Sequence, residues 1–499
     1  MNKVLAVLSV IVVGIILFNL FVPNVLDQST LKRFSSYSEL QNFLKRNLET
    51  GGEYFGLLEA RAFATTTVSK QAVSESTGAA DYSTTNIQVA GVDEADIVKN
   101  DGKYIYTVSG NKIVIVDAFP AEEARILSTI ELKGTPAEIF VNKDKLVVFG
   151  NEYSYYSGYS EIPVASSIVR SDYYPRYSSP KTFVHVYDIS DRGNPVLKRN
   201  VTIDGNYFDS RMIGDYVYLI ANQPVYYGGT EPIPLPEISS NNKVWAVPVT
   251  DVYYFDVPDY SYIYTNILGI NTQNDNQDVT SKTFLMGYSQ SMYVSPENIY
   301  IVYMKRVSDF DLYDRMVDQV FSQIVPSNVK SKIDEIRNSN ATAYEKMQRT
   351  GEVFQTYLES LDPERAANVT KEVQEKAVAV QREVAKETEK TVVHKISIGN
   401  GNIEYQKNGE VPGRVLNQFS MDEYNGYFRI ATTTGEVSRI GEAISANHIY
   451  VLDSSLAIVG KLEDLAPGEK IYSARFIGDR AYMVTFKKID PLFVIDLKD

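Results

Sequence analysis

DGKYIYTV, residues 101–108, is a tight polar turn followed by alternating apolar side chains. A turn that feeds a period-2 pattern reads as a β-hairpin entering a half-buried strand. The unit recurs five more times: KDKLVVFG (143–150), GDYVYLIA (214–221), PENIYIVY (296–303), NGYFRIAT (425–432) and GDRAYMVT (478–485). From Asp101 to Asp144 is 43 positions, whereas the next two gaps, to Asp215 and to Pro296, are 71 and 81. Each longer gap contains a Tyr- or Pro-rich stretch. Taking out 152–181 and 223–258 as loop insertions leaves about 41 and 45 residues, within the roughly 40–45 of a four-stranded propeller blade.

A second repeat supports the first. IVIVDAFPAEEARILSTIEL (113–132) parallels FVHVYDISDRGNPVLKRNVTI (183–203): a strand ending in Asp, a turn, then another strand. FVIDLKD (493–499) begins the same unit and stops. The expected fold is therefore all-β, a β-propeller of about five to six four-stranded blades. Propellers close by pairing their first and last strands. Either the strand near Tyr104 completes the last sheet, or the propeller here is incomplete, and the second is the expectation.

Composition bounds the rest. The 499 residues are 44% hydrophobic with net charge −14 and no Cys. That much apolar content supports a large core and excludes wholesale disorder. The negative charge disfavours nucleic acid or an anionic membrane surface as partner, since both need a basic footprint. The absence of Cys excludes disulfides, thiolate metal sites and Cys nucleophiles. The 36 Tyr favour strands and half-wet surfaces. Residues 4–22, VLAVLSVIVVGIILFNLFV, carry no charge and are long enough to cross a hydrocarbon core of about 30 Å. No small-x-small cleavage site follows, so an uncleaved signal anchor is expected, with the body outside the cytoplasm; a cleaved signal peptide and a secreted body is the alternative. A disulfide-free exported chain suits a prokaryotic envelope.

The chain then divides into an anchor (1–25), a short helix and flexible tether (26–84) and the propeller (85–499). Ser38-x-x-Gln41 fits a capping box, with Leu40, Phe43, Leu44 and Leu48 on one helical face. Residues 65–85 are rich in Ser, Thr and Ala without an apolar period, and read as the tether. Residues 308–390 break the β pattern. Met316, Val320, Ile324, Ile333 and Ile336 have helical spacing, which predicts three or four helices inserted within one blade. They are either a rim appendage or a docking surface.

Three segments carry a family resemblance: TNIQVAGVDEADIVKNDGKYIYTV (85–108), VVHKISIGNGNIEYQKNGEVPGRVLNQFSMDEYNGYFRIATTT (392–434) and IYSARFIGDRAYMVTFKKIDPLFVIDLKD (471–499). The chain resembles secreted or membrane-anchored archaeal and bacterial proteins with a C-terminal β-propeller, distantly related to WD40 repeats. The resemblance implies a propeller outside the cytoplasm and supplies no catalytic residues. Members of that family continue past the FVIDLKD-like strand, in keeping with an incomplete propeller here.

Catalytic signatures are few. His185, His394 and His448 are far apart in sequence, and the first two alternate with apolar residues as strand-embedded histidines do. There is no HExxH, no G-x-S-x-G elbow and no phosphate-binding glycine loop. GVDEAD (91–96) is the best-marked motif outside the repeats. Asp93, Glu94 and Asp96 offer hard oxygens to a Ca²⁺ ion, or cap the turn into the first strand. Asn274, Asp275, Asn276 and Asp278 are a weaker Ca²⁺ candidate, and Asp422 and Glu423 read as turn residues. Tyr153, Tyr155, Tyr156, Tyr159, Tyr173, Tyr174 and Tyr177 lie among Ser, Gly and Pro, while Tyr226, Tyr227, Tyr253 and Tyr254 flank the second insertion. Tyrosines in such loops give large contact area at low entropic cost, and their ring faces suit a glycan or a protein partner. The alternative is that the loops fold over and bury their own rings. The leading functional expectation is a binding or scaffold module. Its rivals are a hydrolase or lyase with an acidic central-channel site, and a structural envelope component.

Overall fold

The computed structural model describes residues 31–49, 87–154, 179–225, 232–241, 243–255, 262–287, 291–306, 315–339, 343–435, 445–486 and 491–498. Within them the chain is mostly β, arranged in six sheets. All six turn-plus-alternation units occupy one position, the hairpin between the first two strands of a sheet. The hairpins join Val98–Asn100 to Tyr104–Ser109, Thr135–Asn142 to Lys145–Ser154, and Asn206–Ile213 to Tyr216–Pro224. In the later sheets they join Ser291–Val294 to Asn298–Arg306, Met421–Tyr424 to Tyr427–Thr434, and Lys470–Ile477 to Arg480–Phe486. Their turns use left-handed residues, including Lys143 (φ 57°), Gly214 (59°), Asn425 (52°) and Gly478 (55°). A tight hairpin needs that backbone to match the strand twist. Third and fourth strands follow antiparallel in the first five sheets, and the sixth has three strands, ending with Leu492–Asp496.

Alternation explains how the sheets stack. Tyr106, Ile113 and Ile115 of the first sheet meet Ile139, Leu146 and Val148 of the second. The second sheet's other face places Phe140, Val147 and Phe149 against Val217 and Leu219 of the third. Ile220, Ile267 and Phe284 then meet Ile299, Ile301 and Val392 of the fourth. Val302 and Val393 meet Phe428 and Ile430 of the fifth, and Ala431 and Ile449 meet Ile471 and Met483 of the sixth. Each such fully buried aliphatic side chain contributes about 1.5–3 kcal/mol. Buried arginines reinforce the seams. Arg429, between the Tyr424 and Phe476 rings, pairs with Asp422 and donates to the Gly478 carbonyl at 2.6 Å. The outer faces of the first and sixth sheets are also apolar but uncovered: Ile126 is 65% exposed, Tyr472 66% and Leu492 62%.

The long connections share a position too. Residues 155–178, 225–262 and 307–388 each join the second strand of a sheet to its third. Antiparallel strands reverse direction at every step, so the six tight hairpins lie at one end and these insertions emerge at the other. The third connection carries a π turn (Val317–Phe321), a short turn (Ser322–Ile324) and the helices Ser327–Arg337, Ala343–Glu359 and Pro363–Thr388. Val317, Val329 and Ile333 form their core with Phe354, and Lys386 reaches Asp464 of the fifth sheet at 2.8 Å.

Residues 223–258 are not only a loop. Glu237–Ser240 and Lys243–Ala246 add two strands to the outer edge of the second sheet. Val252–Phe255 runs parallel to Thr280–Met286 in the third, and Leu31–Arg33 pairs antiparallel on its far side. The helix that follows, Tyr37–Glu49, is capped two residues earlier than the sequence pattern indicates. Ser36 Oγ accepts from Glu39 N–H at 3.3 Å, and Glu39 reaches back to Ser35 N–H at 2.7 Å. A carboxylate at this position also suits the helix dipole, which a Gln does not. Leu40, Phe43 and Leu44 are buried against the third sheet, with Phe34 stacked on Tyr254 at 4.0 Å. No helix among the described residues is long and apolar enough to cross a membrane, and residues 4–22 lie outside them.

Candidate functional site

The GVDEAD segment threads the inner edges of the sheets. Val89 and Val92 form a bridge across the left-handed Gly91 (φ 82°), which sinks Val92 into the core between the third and fourth sheets. Asp93 and Glu94 then pair with Met212 and Arg211 on the inner strand of the third sheet. Asp96 bridges Ile139 on that of the second. Gln88 donates to the carbonyls of Gln418 and Met421 in the fifth, each at 3.1 Å. One short segment therefore laces three sheets together along the axis.

The acidic side chains of the motif go to different partners. Asp93 pairs with the buried ammonium of Lys99 at 2.8 Å. Glu94 accepts from Gln88 N–H at 3.1 Å and from Gln418 Nε2 at 3.4 Å, and Asp96 accepts from Ile97 N–H at 2.7 Å. Beside them Asp209 takes a bond from Arg211 at 2.5 Å, and Arg211 donates to Gln418 at 2.8 Å. Glu138 accepts from the Tyr207 hydroxyl at 2.7 Å. Burial raises both carboxyls, with Arg211 pulling Asp209 back down and the Tyr207 hydrogen bond doing the same for Glu138. Burial, then the Glu138 and Asp209 charges, push the Tyr207 phenol well up. The network is closed on itself, since each of these acids is engaged by the chain's own donors. Among the described residues no group of three or more His, Asp or Glu converges as a metal site would. In the 271–278 loop, Arg199 donates to the carbonyls of Asn271, Asn274 and Gln277, and Lys145 pairs with Asp275 at 3.1 Å.

Of the loop tyrosines, Tyr153 lies in the strand Lys145–Ser154, and Tyr155, Tyr156, Tyr159, Tyr173, Tyr174, Tyr177, Tyr226 and Tyr227 fall outside the described residues. Tyr253 and Tyr254 are neighbours on one strand and so face opposite ways. Tyr254 packs with Phe34 and Phe43, whereas Tyr253 faces a groove of about 630 Å³ between the outer edges of the third and fourth sheets. The floor of the groove is Phe284 and Tyr405. Arg33 lies over the Tyr253 ring at 4.6 Å and donates to its hydroxyl at 2.6 Å; Lys282 lies over the same ring at 5.4 Å and reaches that hydroxyl at 3.4 Å. Ser281, Asn402 and Glu404 complete the lip. Sequence reasoning missed Arg33, Lys282 and Tyr405. The one available signal was the period-2 alternation of VYYF (252–255), which separates the two tyrosines.

The histidines are structural elements of strands. His448 Nε2 lies 2.8 Å from the Thr434 hydroxyl and its Nδ1 accepts from Asp464 N–H at 3.2 Å. His394 is fully buried, with Nδ1 3.1 Å from the Tyr405 hydroxyl. Burial lowers the pKa of His185 as well.

The chain is 31% identical over 93% of its length to an uncharacterised protein of Methanocaldococcus jannaschii, of which it covers 68%. It is 27% identical over its whole length to an uncharacterised protein of Archaeoglobus fulgidus, covering 77% of that one. Solved structures that align include a Pyrococcus horikoshii acylaminoacyl peptidase (12% identity, TM-score 0.26, 82% of this chain and 45% of that one). The N-terminal domain of Nup159 aligns at 9% identity and TM-score 0.21, over 80% of this chain and 88% of that one. The sheets stack face to face in chain order, and the model of the beta propeller domain matches residues 82–499; the chain belongs to that family.

Proposed function

We propose that this propeller is a binding or scaffold module, held outside the cytoplasm by residues 4–22, that presents its insertion-bearing end and rim to a protein or glycan of the cell surface. The carrying observation is the inequality of its two ends. One end has six tight hairpins; the other carries every long connection of the second, third and fourth blades. Rigid scaffolds display binding residues on such connections. The charge-free run 4–22 supports an exported body, which without Cys would hold together by core burial alone. An acidic central-channel enzyme would draw on Glu138 and Asp209, whose carboxyls are raised by burial. Both are already bonded to Tyr207 and Arg211, which leaves the binding reading the stronger.

The test is affinity retrieval from solubilised envelopes with the full chain, after mild cross-linking. A partner retained by the wild type should be lost when residues 315–388 or 155–178 are replaced by short Gly-Ser links, and kept when hairpin residues such as Lys143 and Arg480 are changed to Ser. Thermal melting reports that each variant is folded. Loss through the hairpin variants alone, or turnover of an ester, glycan or peptide panel by the purified chain, would overturn the reading.

A further inference from the structure

The rim groove between the third and fourth blades has a charge arrangement that the fold does not need. Arg33 and Lys282 come from strands far apart in sequence and converge on one phenol, Tyr253. Among the described residues neither meets a carboxylate, although the chain has 63 acidic residues against 49 Lys and Arg. Several other described cations of the blades do meet a carboxylate, as with Lys99 and Asp93, Arg192 and Asp144, and Arg211 and Asp209. Two cations held on one ring repel each other, and an anion bound between them relieves that repulsion. Arg in particular presents a fork that fits a carboxylate.

The remaining lining narrows the class. Tyr405 is half-buried in the floor, and its hydroxyl is already engaged by His394, so its ring flank is what it offers a ligand. Ser281, Asn402 and Glu404 at the lip are acceptors suited to hydroxyl donors. Glu404 is exposed. It opposes a second anionic group beside the first, as a polyphosphate or nucleic acid would bring. The volume, about 630 Å³, falls within the roughly 300–1,000 Å³ of small-ligand sites.

We propose that this groove binds an acidic sugar, its carboxylate between Arg33 and Lys282, its ring face on Tyr405 and its hydroxyls on Asn402 and Glu404. The inference rests on the binding-module reading and names a ligand class for it.

The experiment titrates the full chain, in detergent micelles, with an α-1,4-linked galacturonic acid trimer by calorimetry. A neutral galactose trimer, acetate and inorganic phosphate serve as competitors. The acidic trimer binds and the neutral one does not. Arg33→Gln or Lys282→Gln weakens binding on the order of tenfold or more, and added salt weakens it further. Glu404→Ala is the deciding variant, because a hydroxyl acceptor and a bare negative charge predict opposite signs. A sugar site loses affinity; a simple anion site gains it. Equal affinity for phosphate or acetate, a gain in Glu404→Ala, or no binding of the acidic trimer overturns the proposal. Retrieval of an envelope partner that survives Arg33→Gln and Lys282→Gln would then leave the wider reading standing.

Discussion

Mild acid should loosen this propeller through an imidazole buried without charge. His394 stands in the fourth blade, 4.4 Å from the Phe255 ring and stacked on Tyr303 at 5.6 Å, and its Nε2 meets no hydrogen-bond partner among the described residues. Burial drags its pKa down to about 3. In the unfolded chain a histidine titrates near 6.5. The folded state therefore resists a proton that the unfolded state accepts. The stability this contributes is complete above about pH 6.5 and is lost as the pH falls from there towards 3. At pH 5 the loss is about 1.5 pH units times 1.36 kcal/mol, or about 2 kcal/mol. Raised carboxyls such as Asp209 and Glu138 act in the opposite sense, because protonation favours their buried form. The clean measurement is thus a difference. Urea unfolding of the wild type and of His394→Phe is followed by circular dichroism at pH 7.5 and pH 5. The variant keeps an aromatic ring among Phe255, Tyr303 and Tyr405, and its loss between the two pH values should be smaller by about 2 kcal/mol. Identical losses in the two proteins would refute the argument that His394 is buried neutral.

Three further outcomes follow from packing. A Cβ at Gly150 would sit 2.2 Å from the Thr135 carbonyl and 2.6 Å from the Phe183 ring, so Gly150→Ala should cost about 3 kcal/mol or more, read as a lower urea midpoint. Arg199→Leu strips three carbonyls of the 271–278 loop of their donor; it should destabilise by about 3 kcal/mol and open that loop to limited proteolysis. Leu492→Ser with Val494→Ser removes apolar surface that is 62% and 54% exposed. Light scattering should show less concentration-dependent self-association, with the melting temperature unchanged.

The sequence disclosed the blades because their signal is local. A turn residue that tolerates a left-handed backbone, followed by period-2 alternation, needs no knowledge of distant partners, and each of the six octapeptides marks a first hairpin. Where pairing depends on a distant edge, the reading failed. Val252–Phe255 is a strand only because Thr280–Met286 and Leu31–Arg33 flank it, and Pro-rich flanks hide it in sequence. The capping box was displaced because Ser36-x-x-Glu39 and Ser38-x-x-Gln41 both fit the pattern, and the docking of Phe34 on Tyr254 favours the earlier start. GVDEAD was visible as a motif, but its role in lacing the axis was not, since Arg211 and Gln418 come from blades far along the chain. Arg33 and Lys282 were invisible for the same reason: each is an ordinary surface cation until the third sheet places both over Tyr253.

The strand Leu31–Arg33 carries one more consequence. It stitches the chain to the rim of the third blade before the Ser/Thr-rich stretch 65–85 is reached. If residues 4–22 sit in a bilayer, as proposed, the leash between lipid and body is only residues 23–30. Fully extended, eight residues reach no more than about 28 Å. The third and fourth blades, and the groove between them, would ride within that height of the headgroups, tilted rim-first towards the membrane.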